Sequence, residues 1–105
     1  MTGSRIESLQ QFLRDDPDDC FTHYAIALEY VSLGRIPEAV SKFEEVISRD
    51  SQYVPAYQQL GMLLIRQGRT PDALATLQKG IEIAAQAGDA RARAEMQEAL
   101  DELET

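Results

Sequence analysis

Cys20 and His23 are the only thiol and the only imidazole in the chain, and they stand three residues apart. On a helix that spacing puts both on one face, the minimum for a thiolate nucleophile with its base. A working nucleophile also needs a third group to orient the base, and no Asn or Asp is placed by sequence to do so. Packing of both side chains against neighbouring helices is therefore the expectation. The other reactive residues are carboxylates. They occur as adjacent pairs such as Asp15–Asp16, Asp18–Asp19 and Glu44–Glu45, and neighbours in sequence point to different helix faces, which makes them poor acid/base partners. A single histidine and a single cysteine leave too few soft ligands for a transition-metal site. The glycines stand singly rather than in a phosphate-binding loop. The expectation is a protein that is not an enzyme, with no catalytic, cofactor-binding or metal-binding residues and no cofactor.

The formal charge of −8 over 105 residues argues against a nucleic-acid partner, which needs a Lys/Arg surface to displace phosphate counterions, and against an anionic membrane surface. Acidity gathers at the two ends, in "DDPDD" and "EALDELE", as solvating caps or as an attraction for a basic partner. No apolar run reaches the roughly 18 residues of a membrane span, and the first residues contain no secretory apolar core. With one cysteine and hence no intrachain disulfide, a soluble cytoplasmic protein is expected.

Apolar residues recur at three- and four-residue spacing nearly throughout, and no segment alternates as a half-buried strand does, so the chain reads as all-helical. Ser4 and Glu7 have capping-box spacing, ahead of a helix at about 5–14 whose inner face is Ile6, Leu9, Phe12 and Leu13. Proline in "DDPDD" breaks it. Further helices follow at about 19–33, 37–49, 54–67, 71–87 and 89–104, with Gly34 and Gly68 as C-terminal stops, Pro37 and Pro71 in first turns, and Thr70 as a cap. Connections this short make consecutive helices antiparallel neighbours.

"GRIPEA" at 34–39 returns as "GRTPDA" at 68–73, an interval of 34 residues. That is the length of one helix-turn-helix unit, and such a period marks a solenoid. Residues 20–53 overlie 54–87 with Ile26 on Leu60, Ala27 on Gly61, Tyr30 on Leu64, Val40 on Leu74 and Phe43 on Leu77. Small residues at Ala27/Gly61 and Ala39/Ala73 let the paired helices approach closely. The same frame places the first helix as the second half of an incomplete unit. Gly80, inside a helix, is expected to cost up to about 1 kcal/mol relative to alanine.

This pattern resembles the tetratricopeptide repeat family, through Ile26, Ala27, Tyr30, Ala39 and Phe43 in one unit and Tyr57, Leu60, Gly61, Ala73 and Leu77 in the next. His23, Leu64, Val46, Gly80, Ser51 and Ala85 depart from the family's usual aromatic, tyrosine, alanine and closing-proline positions. The resemblance implies a single domain over 1–105: a half-repeat helix (5–14), repeats at 20–53 and 54–87, and a capping helix (89–104). The fold implied is a right-handed all-α solenoid of antiparallel helix hairpins, whose first helices line a concave groove holding a partner's peptide or helix. Carried onto this chain, the groove positions are Phe21, Tyr24, Leu28, Val31 and Ser32, then Pro55, Gln58, Met62, Ile65 and Arg66. A family subset clamps acidic C-terminal tails through lysines and asparagines. Tyr24, Leu28, Gln58 and Met62 stand at those sites here, so that activity is not expected.

The helices "FTHYAIALEYVSL" and "VPAYQQLGMLLIRQ" carry one formal charge each, Glu29 and Arg66. A helix apolar on every side expects cover on every side, and five or six helices are too few to supply it. The expected function is a protein-protein interaction scaffold or adaptor with an apolar groove, the alternative being a homodimer through the same face. The last helix sets Ala92, Met96, Ala99, Leu100 and Leu103 against a carboxylate face. It reads as the polar-backed cap of a solenoid, as the opening of a further repeat cut short, or as a plug in which Met96 and Leu100 fill the groove. A one-turn insertion around "AGDA" leaves its register open.

Overall fold

The structure, a computed structural model, describes residues 2–105. Its six helices are α1 (Thr2–Asp15), α2 (Cys20–Ser32), α3 (Ile36–Arg49), α4 (Val54–Arg66), α5 (Thr70–Ala87) and α6 (Ala90–Glu104). No strand occurs among the described residues. The chain divides into two compact units, Met1–Ser51 with α1 to α3 and Gln52–Thr105 with α4 to α6.

In the first unit α2 and α3 form a hairpin turned by Gly34, which adopts φ 73°. Only glycine takes that left-handed conformation without strain from Cβ. The Gly34 N–H donates to the Val31 carbonyl (3.0 Å) and the Arg35 N–H to that of Tyr30 (2.9 Å), so carbonyls at the end of α2 are satisfied. The second unit repeats this at Gly68: its N–H donates to Ile65 and that of Arg69 to Leu64, both at 2.9 Å. The 34-residue recurrence is therefore a recurrence of one turn geometry. Thr70 is not a cap as expected. The helix already includes it, Arg69 stands at the N-cap without a side-chain bond to the backbone, and the Arg69 guanidinium pairs with Asp72 at 2.9 Å. Arg35 pairs with Glu38 in the same way. The acids lie in first turns, where the helix dipole favours them.

Phe43, Ala39, Val46, Ile26 and Ala27 fill the α2–α3 core. Ile6 joins the buried set from α1, with Leu9 and Leu13 half-buried. Phe12, expected on the inner face, is instead 64% exposed. In the repeat frame Phe12 corresponds to Val46, which is fully buried in the hairpin. Helix α1 is the second helix of a unit, and no first helix pairs with it within the described residues. The helix also starts at Thr2, earlier than expected, so it already contains Ser4; the side chain of Ser4, and with it the capping box, lies outside the described residues.

The second unit packs α4 on α5 and α5 on α6, with a lighter contact of α6 on α4. Leu77, Met96, Leu64 and Leu60 are buried at its centre. Gly61 faces Leu77, where an added Cβ would lie 2.6 Å from Cδ2, as expected for a small residue that lets the facing helix approach. Asp89 caps α6, its carboxylate accepting the Ala92 N–H at 3.1 Å.

Candidate functional site

The one thiol and the one imidazole engage different partners. His23, 3% exposed, places Nε2 2.8 Å from the Pro17 carbonyl. A carbonyl only accepts, so Nε2 carries the proton there. Nδ1 points at Glu45 Oε2, 3.4 Å away, and makes no hydrogen bond. The Cys20 thiol is aimed at the Val46 carbonyl, 3.8 Å away. Burial pushes the thiol pKa up, and the carboxylates of Asp50 and Asp19 push it the same way, which keeps sulfur in its non-nucleophilic form. The pair is a structural link between α2, the α1–α2 turn and α3. Among the described residues, no group of three or more His, Cys, Asp or Glu side chains could hold a metal ion.

Glu45 sits in a network of its own. Burial alone would raise its carboxyl pKa, but hydrogen bonds from Lys42 Nζ and Arg49 Nε, each 3.0 Å, outweigh burial and hold it below its ordinary 4.5. A depressed folded-state pKa contributes stability that is complete above 4.5 and lost as pH falls through the folded value. Glu45→Gln is therefore expected to lower the urea midpoint slightly at about pH 7, with the gap narrowing as pH falls below 4.5 towards about pH 3. Urea titrations of both proteins at the two pH values check it; a gap that widens on acidification contradicts the assignment.

The apolar positions on α2 are unevenly covered. Phe21 is 60% exposed and Leu28 36%. Tyr24 and Val31 are half-buried, and Ser32 is exposed. The Tyr24 ring lies on Phe43, with centroids 5.7 Å apart and planes tilted by 59°, within the separation at which aromatic pairs attract. On α4, Pro55 and Arg66 are exposed, Gln58 and Ile65 half-buried, and Met62 is 47% exposed.

In the second unit Gln58 and Met62 form one wall of a cleft of about 290 Å³. Leu77 and Met96 floor it, and α6 supplies the other wall through Glu95, Glu98, Ala99 and Glu102. Met96 and Leu100 are buried, yet Met62 stays exposed, so α6 walls this cleft rather than plugging it. A larger concavity of about 440 Å³ lies on the α2–α3 hairpin, beside Tyr30, Lys42 and Glu45. Lys42 and Glu45 are already paired there at 3.0 Å, and Arg35 stacks over the Tyr30 ring at 5.0 Å. Its polar groups ask for no ligand.

Comparison with known proteins decides the class of this scaffold. The sequence model of the tetratricopeptide repeat family matches residues 30–99. The chain belongs to the tetratricopeptide repeat family. A tetratricopeptide repeat domain protein from Salinibacter ruber, solved by solution NMR, is 39% identical, with a TM-score of 0.80 over 85% of this chain and 90% of that one. The TPR2B domain of yeast Sti1, solved in a complex with pHsp70, has a TM-score of 0.88 at 18% identity over 98% of this chain and 82% of that one. The Yersinia enterocolitica type III secretion translocator chaperone SycD also reaches 0.88, at 12% identity, over 98% of this chain and 72% of that one. These likenesses give the fold: an all-α solenoid of antiparallel helix hairpins. No curated protein sequence matches the chain.

Sequence reading of this tetratricopeptide repeat protein missed the α6 wall. The signal was present, since Glu95, Glu98 and Glu102 recur at three- and four-residue spacing, but the longer α5 hid its register. Helix α5 has 18 residues where α3 has 14, about one extra turn. Among the described residues, no helix is long and apolar enough to cross a membrane.

Proposed function

We propose that this chain is a non-catalytic interaction module that binds a peptide or helix of a partner protein through open apolar helix faces, that of α2 in the first unit or that of α4 in the second. The observation that carries the reading is the exposure of large apolar side chains at Phe21, Leu28 and Met62, positions that the family resemblance assigns to ligand contact. Exposed aromatics and methionine are the residue types that make adaptable protein contacts. The yeast Sti1 domain of the same fold was solved with a protein partner, which fits a role of this kind. The clamp for acidic tails is not carried over, because Tyr24, Leu28, Gln58 and Met62 offer no cation. The net charge of −8 weighs against nucleic acid and anionic membrane as ligands.

The test is selection of peptides from a displayed random library on the protein and on its Leu28→Asp plus Met62→Asp variant, after circular dichroism shows equal helicity. Binding of the selected peptides should fall at least tenfold in the variant, about 1.4 kcal/mol. Undiminished binding refutes the reading. Self-association through the same faces is the competing account. A monomer in sedimentation at about 100 μM, a hundredfold above a micromolar Kd, removes it.

A further inference from the structure

The cleft between α4 and α6 has a floor and a rim of opposite character, and two of the three carboxylates on the rim have no ion pair among the described residues. Glu98 and Glu102 stand one helical turn apart on its α6 wall, roughly 6 Å along the axis. Neither carboxylate has an ion pair among the described residues, whereas Glu95 has Arg91 at 3.5 Å. After Arg93 the sequence contains no Lys or Arg but five acids, Glu95, Glu98, Asp101, Glu102 and Glu104. The last turn of α6 also holds no basic residue, so the negative end of the helix dipole adds to the same potential. Like charges one turn apart repel, and a cation between them relieves the repulsion. Below the rim lie Met62, Leu77 and Met96, soft apolar surface suited to one large side chain.

We propose that this cleft takes a basic amphipathic segment of the partner protein, with a Leu-, Met- or Phe-sized side chain on the floor and Lys or Arg against Glu98 and Glu102. The inference rests on the interaction-module reading above and adds the partner's chemistry. Acidic peptides are repelled by this rim. A second copy of the chain is disfavoured as well, because a two-fold interface through the cleft sets the same carboxylates against each other.

Three synthetic helical peptides of about four turns test it, with one leucine face and either Lys, Gln or Glu flanking that face at three- and four-residue spacing. Each is labelled and titrated with the whole protein by fluorescence anisotropy. The Lys peptide should bind at least tenfold more tightly than the Gln peptide, and the Glu peptide most weakly. Raising salt from about 0.05 M to about 0.5 M shortens the screening length from over 10 Å to roughly 4 Å and should remove most of that advantage. Glu98→Gln plus Glu102→Gln should also remove it, while Glu7→Gln plus Glu44→Gln, an equal change in net charge elsewhere, should leave it. Met62→Ser should weaken the Lys and Gln peptides alike. Equal affinity of the Lys and Gln peptides overturns the charge assignment and leaves the interaction-module reading standing. Equal losses from the two glutamine pairs reduce it to unspecific attraction and overturn it. Binding untouched by Met62→Ser places the ligand outside the cleft and overturns it too. If no peptide binds, both readings fall.

Discussion

Gly80→Ala is expected to destabilise the protein by about 1–3 kcal/mol, although helix propensity alone predicts a gain of up to about 1 kcal/mol. A Cβ at residue 80 would meet Met96 Sδ at 2.6 Å and Tyr57 Cβ at 2.7 Å. The methionine can swing away at some loss of packing. Tyr57 Cβ cannot, because it is bonded to the α4 backbone and moves only if α4 moves against α5. Overpacking therefore outweighs propensity. Gly61→Ala is the internal comparison: its Cβ would meet Leu77 Cδ2 at 2.6 Å and Cγ at 3.0 Å, the outer part of a flexible side chain, so its cost should be smaller. Thermal melts by circular dichroism separate the two, since each kcal/mol moves Tm by about 4–8 °C in a chain near this length. In a double-mutant cycle with Met96→Ala, itself a costly truncation of a buried side chain, Gly80→Ala should cost less than it does in the unsubstituted protein but still destabilise, because the contact with Tyr57 remains. A melting point at or above that of the unsubstituted protein would sink the close-approach account.

Gly80 also shows where reading the sequence stops. Its local meaning, a weak spot in a helix, was legible; its tertiary meaning came from Tyr57 and Met96, each at least 16 residues away in sequence. Gly34 and Gly68 were read correctly because a helix stop is a local event that needs only φ near 73°. Helix boundaries at 20–32, 36–49 and 54–66 followed from such local signals to within a residue or two. Periodicity places Phe12 inside, because it records which face of α1 is apolar but not whether anything lies against that face; the residue is 64% exposed. The candidate positions on α2 and α4 come from the family resemblance, since neither periodicity nor the 34-residue frame says which face of a helix meets a ligand; of them, Phe21, Leu28 and Met62 are exposed. The carboxylate face of α6 is legible in the sequence, but its place on the wall of a cleft is not, for a different reason: four extra residues in α5 break the 34-residue frame, so no position on α6 can be carried over from its predecessors.

Phe43→Ala should be the most damaging single truncation in the α2–α3 hairpin, at about 3–5 kcal/mol out of the roughly 5–15 kcal/mol that holds a domain folded. Its side chain is 0% exposed and is the largest of the fully buried ones. Truncation leaves a cavity and also strips the Tyr24 ring of its partner at 5.7 Å, a pairing worth about 0.5–1.5 kcal/mol beyond area. The second unit indicates how the position tolerates change: the residues equivalent to Phe43 and Tyr24 are Leu77 and Gln58, and Leu77 is likewise 0% exposed. A leucine therefore fits this place in the hairpin when no aromatic ring needs support from it. Phe43→Leu should cost less than half as much as Phe43→Ala in urea titrations, and the two variants divide stability from function. In Phe43→Leu the hairpin persists while Tyr24 loses its ring contact with Phe43, so nuclear magnetic resonance should show shifted ring signals for Tyr24 with the amides of α2 still protected from exchange. A Phe43→Ala cost under about 1 kcal/mol would mean that the hairpin collapses around the gap; unshifted Tyr24 ring signals in Phe43→Leu would mean that the contact with Phe43 does not shape the surroundings of that ring.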